Sequence, residues 1–249
     1  MAPTRILVLA GTAQARALCD ALAPRAEIAA AASLAGRTRE PQILPVPMRL
    51  GGFGGVEGLV RHLREARIDL VVDATHPFAA RMSANAAAAC ADAGVPRLLF
   101  DRDPWAAREC DAWTEVDDLH AAAKALGEAP KRVFLSQGRL GLAAFKARPQ
   151  HSYLMRAVDA PAAEDLPPRC EVILARGPFA FDDEIKLLRE ARIQAIVAKN
   201  GGGPGGKIGA ARALGIPVVM VRRPAPPAGA RVTSLDAALA WIEAHRRAS

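Results

Sequence analysis

The sequence has few aromatic residues, few lysines and no closely spaced cysteines, and each shortage excludes a class of protein. Phe, Trp and Tyr make up only 4% of the 249 residues, whereas small and branched apolar residues dominate. This balance favours parallel strands covered by helices over a β-sandwich. The four cysteines lie far apart, without Cys-x-x-Cys spacing, which argues against a disulfide scaffold and against a zinc site.

Long apolar runs are also missing. No such run is long enough to cross a bilayer. Residues 1–5 lead directly into a strand-like segment that is too short for the core of a signal peptide. We therefore expect a soluble, cytoplasmic protein without a membrane partner.

The charge of the chain comes mainly from arginine. The sequence has 27 arginines, six lysines and a formal net charge of +7. The guanidinium group suits carboxylates and phosphates, so anionic partners are expected. Genomic base composition and solubility explain the excess equally well. The basic residues are dispersed and form no known DNA- or RNA-binding pattern, so a nucleic-acid partner is not expected.

Apolar runs alternate with stretches of helical spacing along most of the chain. The predicted strands cover residues 5–10, 28–34, 70–74, 95–100, 133–136, 154–158, 172–175, 193–198 and 218–221. The predicted helices cover residues 13–22, 56–67, 78–94, 116–126, 139–147, 182–191 and 206–214, with a last helix that ends near residue 245. The alternation predicts two Rossmann-like three-layer α/β domains with mainly parallel sheets, residues 1–113 and 114–249, and an interdomain cleft.

The loop after the first strand lies where a Rossmann domain binds pyrophosphate. Gly11 and Thr12 end the strand, and a helix follows at once. Backbone N–H groups and the helix dipole favour an anion there. Because the full G-x-G-x-x-G pattern is missing, a simple tight turn remains an alternative.

The end of the second strand carries no acidic residue, although an NAD enzyme normally has one there to bind the ribose hydroxyl. Residues 33–39 instead hold Ser33, Arg37 and a second arginine. Hydroxyl and guanidinium groups at this position suit the 2′-phosphate of NADP. A solvated basic turn is the alternative for Arg37.

Another polar cluster follows the strand at 70–74. Pro77 fits the first position of the next helix, so Thr75 or His76 would cap that helix. Because ligands bind at strand ends in open α/β sheets, the same segment could line the nicotinamide. Arg81 would face the same crevice or the solvent.

Three further loops are candidates for substrate contact. Arg49 precedes the glycine-rich residues 51–55, and Trp105 follows the last strand of the first half. Each has a structural alternative: the glycine-rich loop could simply turn the chain, and Trp105 could serve packing alone. Lys199 and Asn200 precede a glycine-rich turn that nearly matches a P-loop.

A kinase or ATPase site is not predicted for that turn, because the residue after its lysine is Ile208, which cannot coordinate magnesium. We interpret the turn as an anion-binding or cleft-lining loop. No Tyr-x-x-x-Lys pair, zinc spacing or serine nucleophile elbow is present either. Positioned hydride transfer is the chemistry that needs least from side chains.

Taken together, five motifs resemble the precorrin-6A reductase family of cobalamin biosynthesis in order and spacing. They are residues 9–12 (LAGT), 33–37 (SLAGR), 73–79 (DATHPFA), 102–105 (RDPW) and 199–202 (KNGG). The resemblance spans nearly the whole chain, and the third motif is the most specific. Gln14 departs from the acidic residue that relatives often carry, and Ala198 stands where a hydroxyl is expected.

The resemblance implies that NADPH reduces a double bond of a ring-contracted tetrapyrrole, giving precorrin-6B, without flavin or metal. This substrate carries many carboxylates, which gives the arginines a role, and its product could pass transiently to other enzymes of the cobalamin pathway. For the cofactor we expect Gly11, Thr12, Ser33, Arg37, Thr75, His76 and Pro77. For the substrate we expect Arg16, Arg49, Arg81, Trp105, Arg176, Lys199, Asn200 and Gly201. His76 and Lys199 are the candidate catalytic proton donors.

Other interpretations of the same residues stay open at this point. The loops would equally serve an NADP-dependent reductase of another anionic substrate. A non-catalytic module that binds nucleotides or nucleic acid is a second alternative, and a P-loop kinase is a third. The sequence does not separate the metal-free substrate from its cobalt-containing counterpart.

Overall fold

Two six-stranded sheets, each with all strands parallel, organise this computed structural model, which describes residues 2–36, 43–109 and 111–246. One compact unit comprises Met1–Asp103 and Pro224–Ser249, and the other comprises Pro104–Arg223. The predicted fold class of two parallel α/β units is confirmed.

The first unit has the strand order of a dinucleotide-binding Rossmann fold. Its strands are β1 (Thr4–Leu9), β2 (Ile28–Leu34), β3 (Met48–Leu50), β4 (Leu70–Asp73), β5 (Arg97–Phe100) and β12 (Ala230–Val232). They lie side by side as β3-β2-β1-β4-β5-β12. The chain direction across the sheet therefore reverses between β1 and β4, which is where open α/β sheets bind ligands.

Helices cover both faces of this first sheet because alternate residues of a strand point to opposite faces. Ile6 and Val8 face α1 (Ala13–Leu22) and α7 (Leu235–His245), whereas Leu7 and Leu9 face α2 (Val56–Glu65) and α3 (Ala80–Ala93). These four strand residues are almost fully buried. Burial of apolar surface on both faces contributes most of the stabilisation of such a sheet.

The second unit repeats the architecture with different connections. Its strands are β6 (Trp113–Val116), β7 (Arg132–Ser136), β8 (Ser152–Ala157), β9 (Cys170–Leu174), β10 (Ala195–Lys199) and β11 (Val218–Val221). They are ordered β9-β8-β7-β10-β11-β6. Its helices are α4 (Leu119–Ala125), α5 (Phe181–Glu190) and α6 (Gly206–Ala213), with 3-10 helices at Leu142–Ala147 and Ala163–Asp165.

The observed units divide the chain differently from the predicted ranges 1–113 and 114–249. The last segment of the chain returns to the first unit, because β12 pairs with β5 and α7 packs against α1. The sixth position of the second sheet is filled instead by β6, which precedes the rest of that sheet in the chain. The two added strands, β12 and β6, are short, so no long apolar run in the sequence predicts where they pair.

Two local predictions were wrong. Helix α3 begins at Ala80 with Ala79 as its N-cap, so Pro77 lies in the preceding turn and neither Thr75 nor His76 caps the helix. The helix predicted for residues 116–126 is present as α4, but it begins later, at Leu119, because Val116 ends β6. The helix predicted for residues 139–147 is a short 3-10 helix.

Candidate functional site

The loop at the end of β1 is open to a ligand. Gly11 has φ +129°, and a Cβ placed on it would meet no atom within 4 Å. Glycine adopts such a φ without the steric penalty of other residues. Since β1 and β4 pair directly, with Leu9 beside Asp73, this open position lies at the point where the strand order reverses.

Thr12 joins this loop to the neighbouring strand end. Its Oγ1 accepts a hydrogen bond from Ala15 N at 3.1 Å, which caps α1, and donates to Ala74 O at 2.8 Å. The first turn of α1 contains no acidic residue, so its positive dipole end faces no carboxylate of its own. Helix ends of this kind attract phosphate groups.

Gln14, whose role the sequence left open, ties the same helix to β5. Its Nε2 donates to Asp101 O at 2.6 Å. The Asp101 carboxylate in turn lies 2.8 Å from Arg231 of β12. The start of α1 is therefore anchored to the ends of three strands, β4, β5 and β12.

A buried carboxylate positions the segment after β4. Asp73 is fully buried, and its Oδ1 accepts from Thr75 N at 3.2 Å and from Thr75 Oγ1 at 2.7 Å. Its Oδ2 lies 3.9 Å from the equally buried guanidinium of Arg97, and Ser83 Oγ lies 3.3 Å from Thr75 Oγ1. This network fixes Thr75 at the carboxyl edge, beside the residue that Thr12 contacts.

His76 follows at the surface with a defined proton position. Its Nδ1 accepts from Phe78 N at 3.2 Å, and its ring centroid lies 5.8 Å from that of Phe78. When Nδ1 accepts a hydrogen bond, the neutral ring carries its proton on Nε2. The side chain of His76 is exposed, and that of Pro77 is half-buried. Arg81, also exposed, lies in the first turn of α3.

The second and third strands of the first sheet bring Ser33 and Arg49 side by side. Ser33 is buried at the end of β2 and is in register with Arg49 of β3. The Arg49 guanidinium donates to Gly51 O at 2.6 Å and to Gly52 O at 2.8 Å. Arg37 lies outside the described residues, so its predicted contact with a 2′-phosphate stays a prediction.

Arg16 points along the same unit toward the segment before β3. One of its terminal nitrogens donates to Ile43 O at 2.5 Å. The guanidinium therefore links that segment to α1 by a hydrogen bond. Its predicted contact with the substrate remains untested.

In the second unit, Trp105 and Asn200 bind each other. Asn200 Oδ1 accepts from Trp105 N at 2.9 Å, and Asn200 Nδ2 donates to Trp105 O at 2.9 Å. The indole Nε1 of Trp105 also donates to Gly203 O at 2.9 Å. These hydrogen bonds hold the glycine-rich turn in place, and Gly201, within it, is buried. Trp105 and Asn200 therefore have a structural role, whatever further contact they make.

Lys207 lies at the start of α6. On sequence alone, we compare it only with the lysine of a P-loop. Its Nζ donates to Ser136 Oγ at 3.0 Å and lies 5.0 Å from the centre of the Trp105 ring. Ile208 belongs to the hydrophobic core, which supports the rejection of a magnesium site there. Lys199 ends β10 and is half-buried, whereas Arg176 is exposed just after β9.

The first unit thus brings together Gly11, Thr12 and Thr75 of the predicted cofactor residues. Sequence reasoning missed Asp73 and Arg97, because only the fold shows that they pair. The residues present fit a dinucleotide: an open glycine, a capped helix end without a carboxylate, and a rigid second loop. Within the described ranges, no group of three or more His, Cys, Asp or Glu side chains could hold a metal ion. No helix in those ranges has the length and hydrophobicity to cross a bilayer.

Comparison with known proteins gives consistent matches over nearly the whole chain. The family model described as "Precorrin-6x reductase CbiJ/CobK" matches residues 5–243. The precorrin-6A reductase of Rhodobacter capsulatus is 48% identical over 244 residues, 97% of each chain. A solved structure, "CobK precorrin-6A reductase", superposes with a TM-score of 0.93 at 48% identity and covers 98% of this chain and 97% of that one. A cobalt-precorrin-6A reductase of Priestia megaterium is 28% identical over 88% of this chain and 90% of its own length.

Proposed function

The chain belongs to the precorrin-6x reductase CbiJ/CobK family of oxidoreductases, and we propose that it reduces precorrin-6A to precorrin-6B with NADPH. One hydride and one proton add across a double bond of the macrocycle, and NADP⁺ leaves. The observation that carries the proposal is the open Gly11 loop and capped α1 at the strand-order reversal, in a chain 48% identical to a precorrin-6A reductase.

We assign the cofactor to the first unit. When bound, NADPH supplies the hydride. Gly11 lets the backbone approach the pyrophosphate closely, and the N–H groups at the start of α1 stabilise its charge. Thr75, held by the buried Asp73, keeps the loop after β4 rigid. A rigid loop holds the reacting groups in position, which in well-oriented reactions is worth up to about 7–11 kcal/mol of the barrier.

We propose His76 as the proton donor. Its Nδ1 accepts from the backbone, so the neutral ring carries its proton on Nε2, and the side chain is exposed. Lys199, half-buried at the end of β10, is the second candidate.

We propose that the carboxyl edge of the second sheet contacts the macrocycle. Four exposed apolar side chains lie where strands of this sheet end: Leu140 after β7, Val158 after β8, Leu174 at the end of β9 and Phe181 at the start of α5. Exposed apolar surface of this kind is typical of binding sites. Arg176 and Lys207 in the same unit supply the positive charge that carboxylates of the substrate require.

We further propose the metal-free macrocycle as the substrate. The support is the difference in similarity: 48% identity to a precorrin-6A reductase against 28% to a cobalt-precorrin-6A reductase. A competing proposal, the reduction of another anionic substrate, uses the same loops.

Anaerobic incubation with NADPH and precorrin-6A tests the function directly. We expect the nicotinamide absorbance to fall in step with the change in the pigment spectrum, at one NADPH per macrocycle. Cobalt-precorrin-6A, tested in parallel, should react more slowly. Binding of NADPH without oxidation by either macrocycle would favour the competing substrate, and failure to bind NADPH would refute the proposal.

A further inference from the structure

Arg49 lies beside the strand that carries the ribose-binding position, although the sequence suggested a role with the substrate. In a dinucleotide-binding sheet the ribose hydroxyl of the adenosine is bound at the end of the second strand, and an arginine nearby accommodates the 2′-phosphate of NADP. Here the second strand ends at Ser33 and Leu34, and Ser33 is in register with Arg49 of β3. Because paired residues of neighbouring strands point to the same face, both side chains share one face of the sheet.

The guanidinium of Arg49 is held in a fixed orientation. Two of its N–H groups donate to Gly51 O and Gly52 O, and its carbon lies 4.1 Å from the centre of the Phe53 ring. A guanidinium has five N–H donors, so three remain for which no acceptor is found among the described residues. A pre-organised planar group with unused donors is well suited to a phosphate.

The surroundings of Arg49 favour an anion. Residues 43–55 contain no acidic residue. The ring of His62 lies 5.1 Å from that of Phe53, and its pKa is lowered by burial and then by the charge of Arg49, whereas Glu65 acts in the opposite direction. The lowered pKa favours the neutral form of His62 at physiological pH, and Arg49 is the cation in register with Ser33 among the described residues.

We propose that Arg49, with Ser33, binds the 2′-phosphate of the cofactor and determines the preference for NADPH over NADH. This inference rests on the proposed function. It moves Arg49 from the substrate to the nucleotide and gives the glycine loop at residues 51–55 a purpose, which is to orient the guanidinium. It depends on no contact with Arg37.

The test compares two nucleotides that differ only in the 2′-phosphate, adenosine 2′,5′-bisphosphate and adenosine 5′-monophosphate. Their dissociation constants would be measured by calorimetry on the full chain, for the wild type and for Arg49→Gln, Arg49→Lys and Arg61→Gln. Arg61 is exposed on α2, so its variant matches the change of charge without the change of position. The ratio of the two constants within one variant is independent of its folded fraction.

We expect Arg49→Gln to raise the dissociation constant of the bisphosphate by about tenfold to a hundredfold, as for the loss of charge-assisted hydrogen bonds. The dissociation constant of the monophosphate should stay nearly unchanged. For Arg49→Lys, the dissociation constant of the bisphosphate should lie between those of the wild type and Arg49→Gln, because lysine keeps the charge but lacks the planar guanidinium. Arg61→Gln should keep the wild-type ratio. In steady-state assays, the NADPH-to-NADH preference should fall in the same order.

Three results would overturn the inference. If Arg49→Gln weakens the binding of both nucleotides equally, Arg49 only maintains the conformation of the loop at residues 51–55. If it raises KM for the macrocycle and leaves the nucleotide ratio intact, the original assignment to the substrate is right, and the proposed function stands. If the wild type itself does not distinguish the two nucleotides, the inference and the use of NADPH fail together.

Discussion

The two units have the same central strand order, yet they differ after the strand that begins this order in the chain, β1 in the first unit and β7 in the second. In the first unit β1 leads through Gly11 into a ten-residue helix that Thr12 caps. In the second unit the equivalent strand, β7, leads through Gln137 and Gly138 into a 3-10 helix of six residues. Only the first arrangement aligns several peptide dipoles toward the carboxyl edge of the sheet.

Under the proposed function, this difference in the loop, and not the shared sheet topology, distinguishes the dinucleotide-binding unit. The second unit has another feature at its edge: the glycine-rich turn after β10, fixed by Trp105 and Asn200, with Lys207 behind it. This turn leads into α6 and places a cation, Lys207, in the first turn of that helix, whereas the first turn of α1 carries no lysine. The two units thus carry different loops on the same central strand order, and the proposed function assigns a different ligand to each.

Each unit also buries an arginine against a carboxylate, and these pairs offer the sharpest way to separate stability from function. In the second unit Arg156 lies 2.6 Å from Glu184 of α5 and 3.5 Å from the centre of the Phe179 ring. Both charged side chains are at least nine-tenths buried. In the first unit Asp73 holds Thr75 as well as Arg97.

The largest effect is expected for Arg156→Met. This variant leaves the Glu184 carboxylate buried without its cation, so the free energy of unfolding should fall by about 3–5 kcal/mol. Urea unfolding measures the loss. The double variant Arg156→Met with Glu184→Leu should recover most of it, because an apolar pair can replace a buried ion pair. A single variant as stable as the wild type would show that the pair contributes nothing.

A smaller effect separates the loop after β1 from the loop after β7. Gly11→Ala and Gly138→Ala each place a Cβ on a residue with positive φ and open space around it, so each should lower stability by about 1–2 kcal/mol. Only Gly11→Ala should weaken the binding of NADPH, by about tenfold or more, because its methyl group lies where the pyrophosphate must approach the backbone. Calorimetric titration with NADPH distinguishes the variants. Equal weakening by both would mean that the nucleotide site is not confined to the first unit's loop.

The sequence predicts the central strands well because they are continuous apolar runs. Residues 28–34 and 218–221 were predicted as strands with the bounds that β2 and β11 have. The missed strands β3, β6 and β12 are three or four residues long, and each contains a charged residue. Edge positions bury less apolar surface, so their sequences carry little periodic signal.

The candidate site shows the same limit. Gly11 and Thr12 follow from their position after the first strand, because that position is local in sequence. The pairing of Asp73 with Arg97, the bond from Gln14 to Asp101 O, and the register of Arg49 with Ser33 each join separate elements. Such contacts depend on strand order, which a single sequence does not encode in any local pattern.

The smallest expected effect concerns pH and compares His151 of the second unit with exposed His120 of the same unit. His151 is fully buried, its Nδ1 accepts from Lys131 N at 3.2 Å, and burial lowers its pKa from the ordinary value of 6.5. Below pH 6.5 the unfolded chain therefore binds more protons at this residue than the folded chain does. The contribution of His151 to stability is complete above that pH and is lost as the pH falls toward the folded-state pKa.

His151→Asn keeps an acceptor for the Lys131 N–H but cannot titrate. Urea unfolding at pH about 7.5 and about 5.5 should show a smaller loss of stability on acidification than in the wild type, by up to about 1.4 kcal/mol, because pH 5.5 lies about one pH unit below the unfolded-state pKa. His120→Gln, a change on the exposed surface of α4, should keep the wild-type pH dependence. If His120→Gln flattens the profile and His151→Asn does not, the acid sensitivity comes from surface charge, and the buried histidine does not set it.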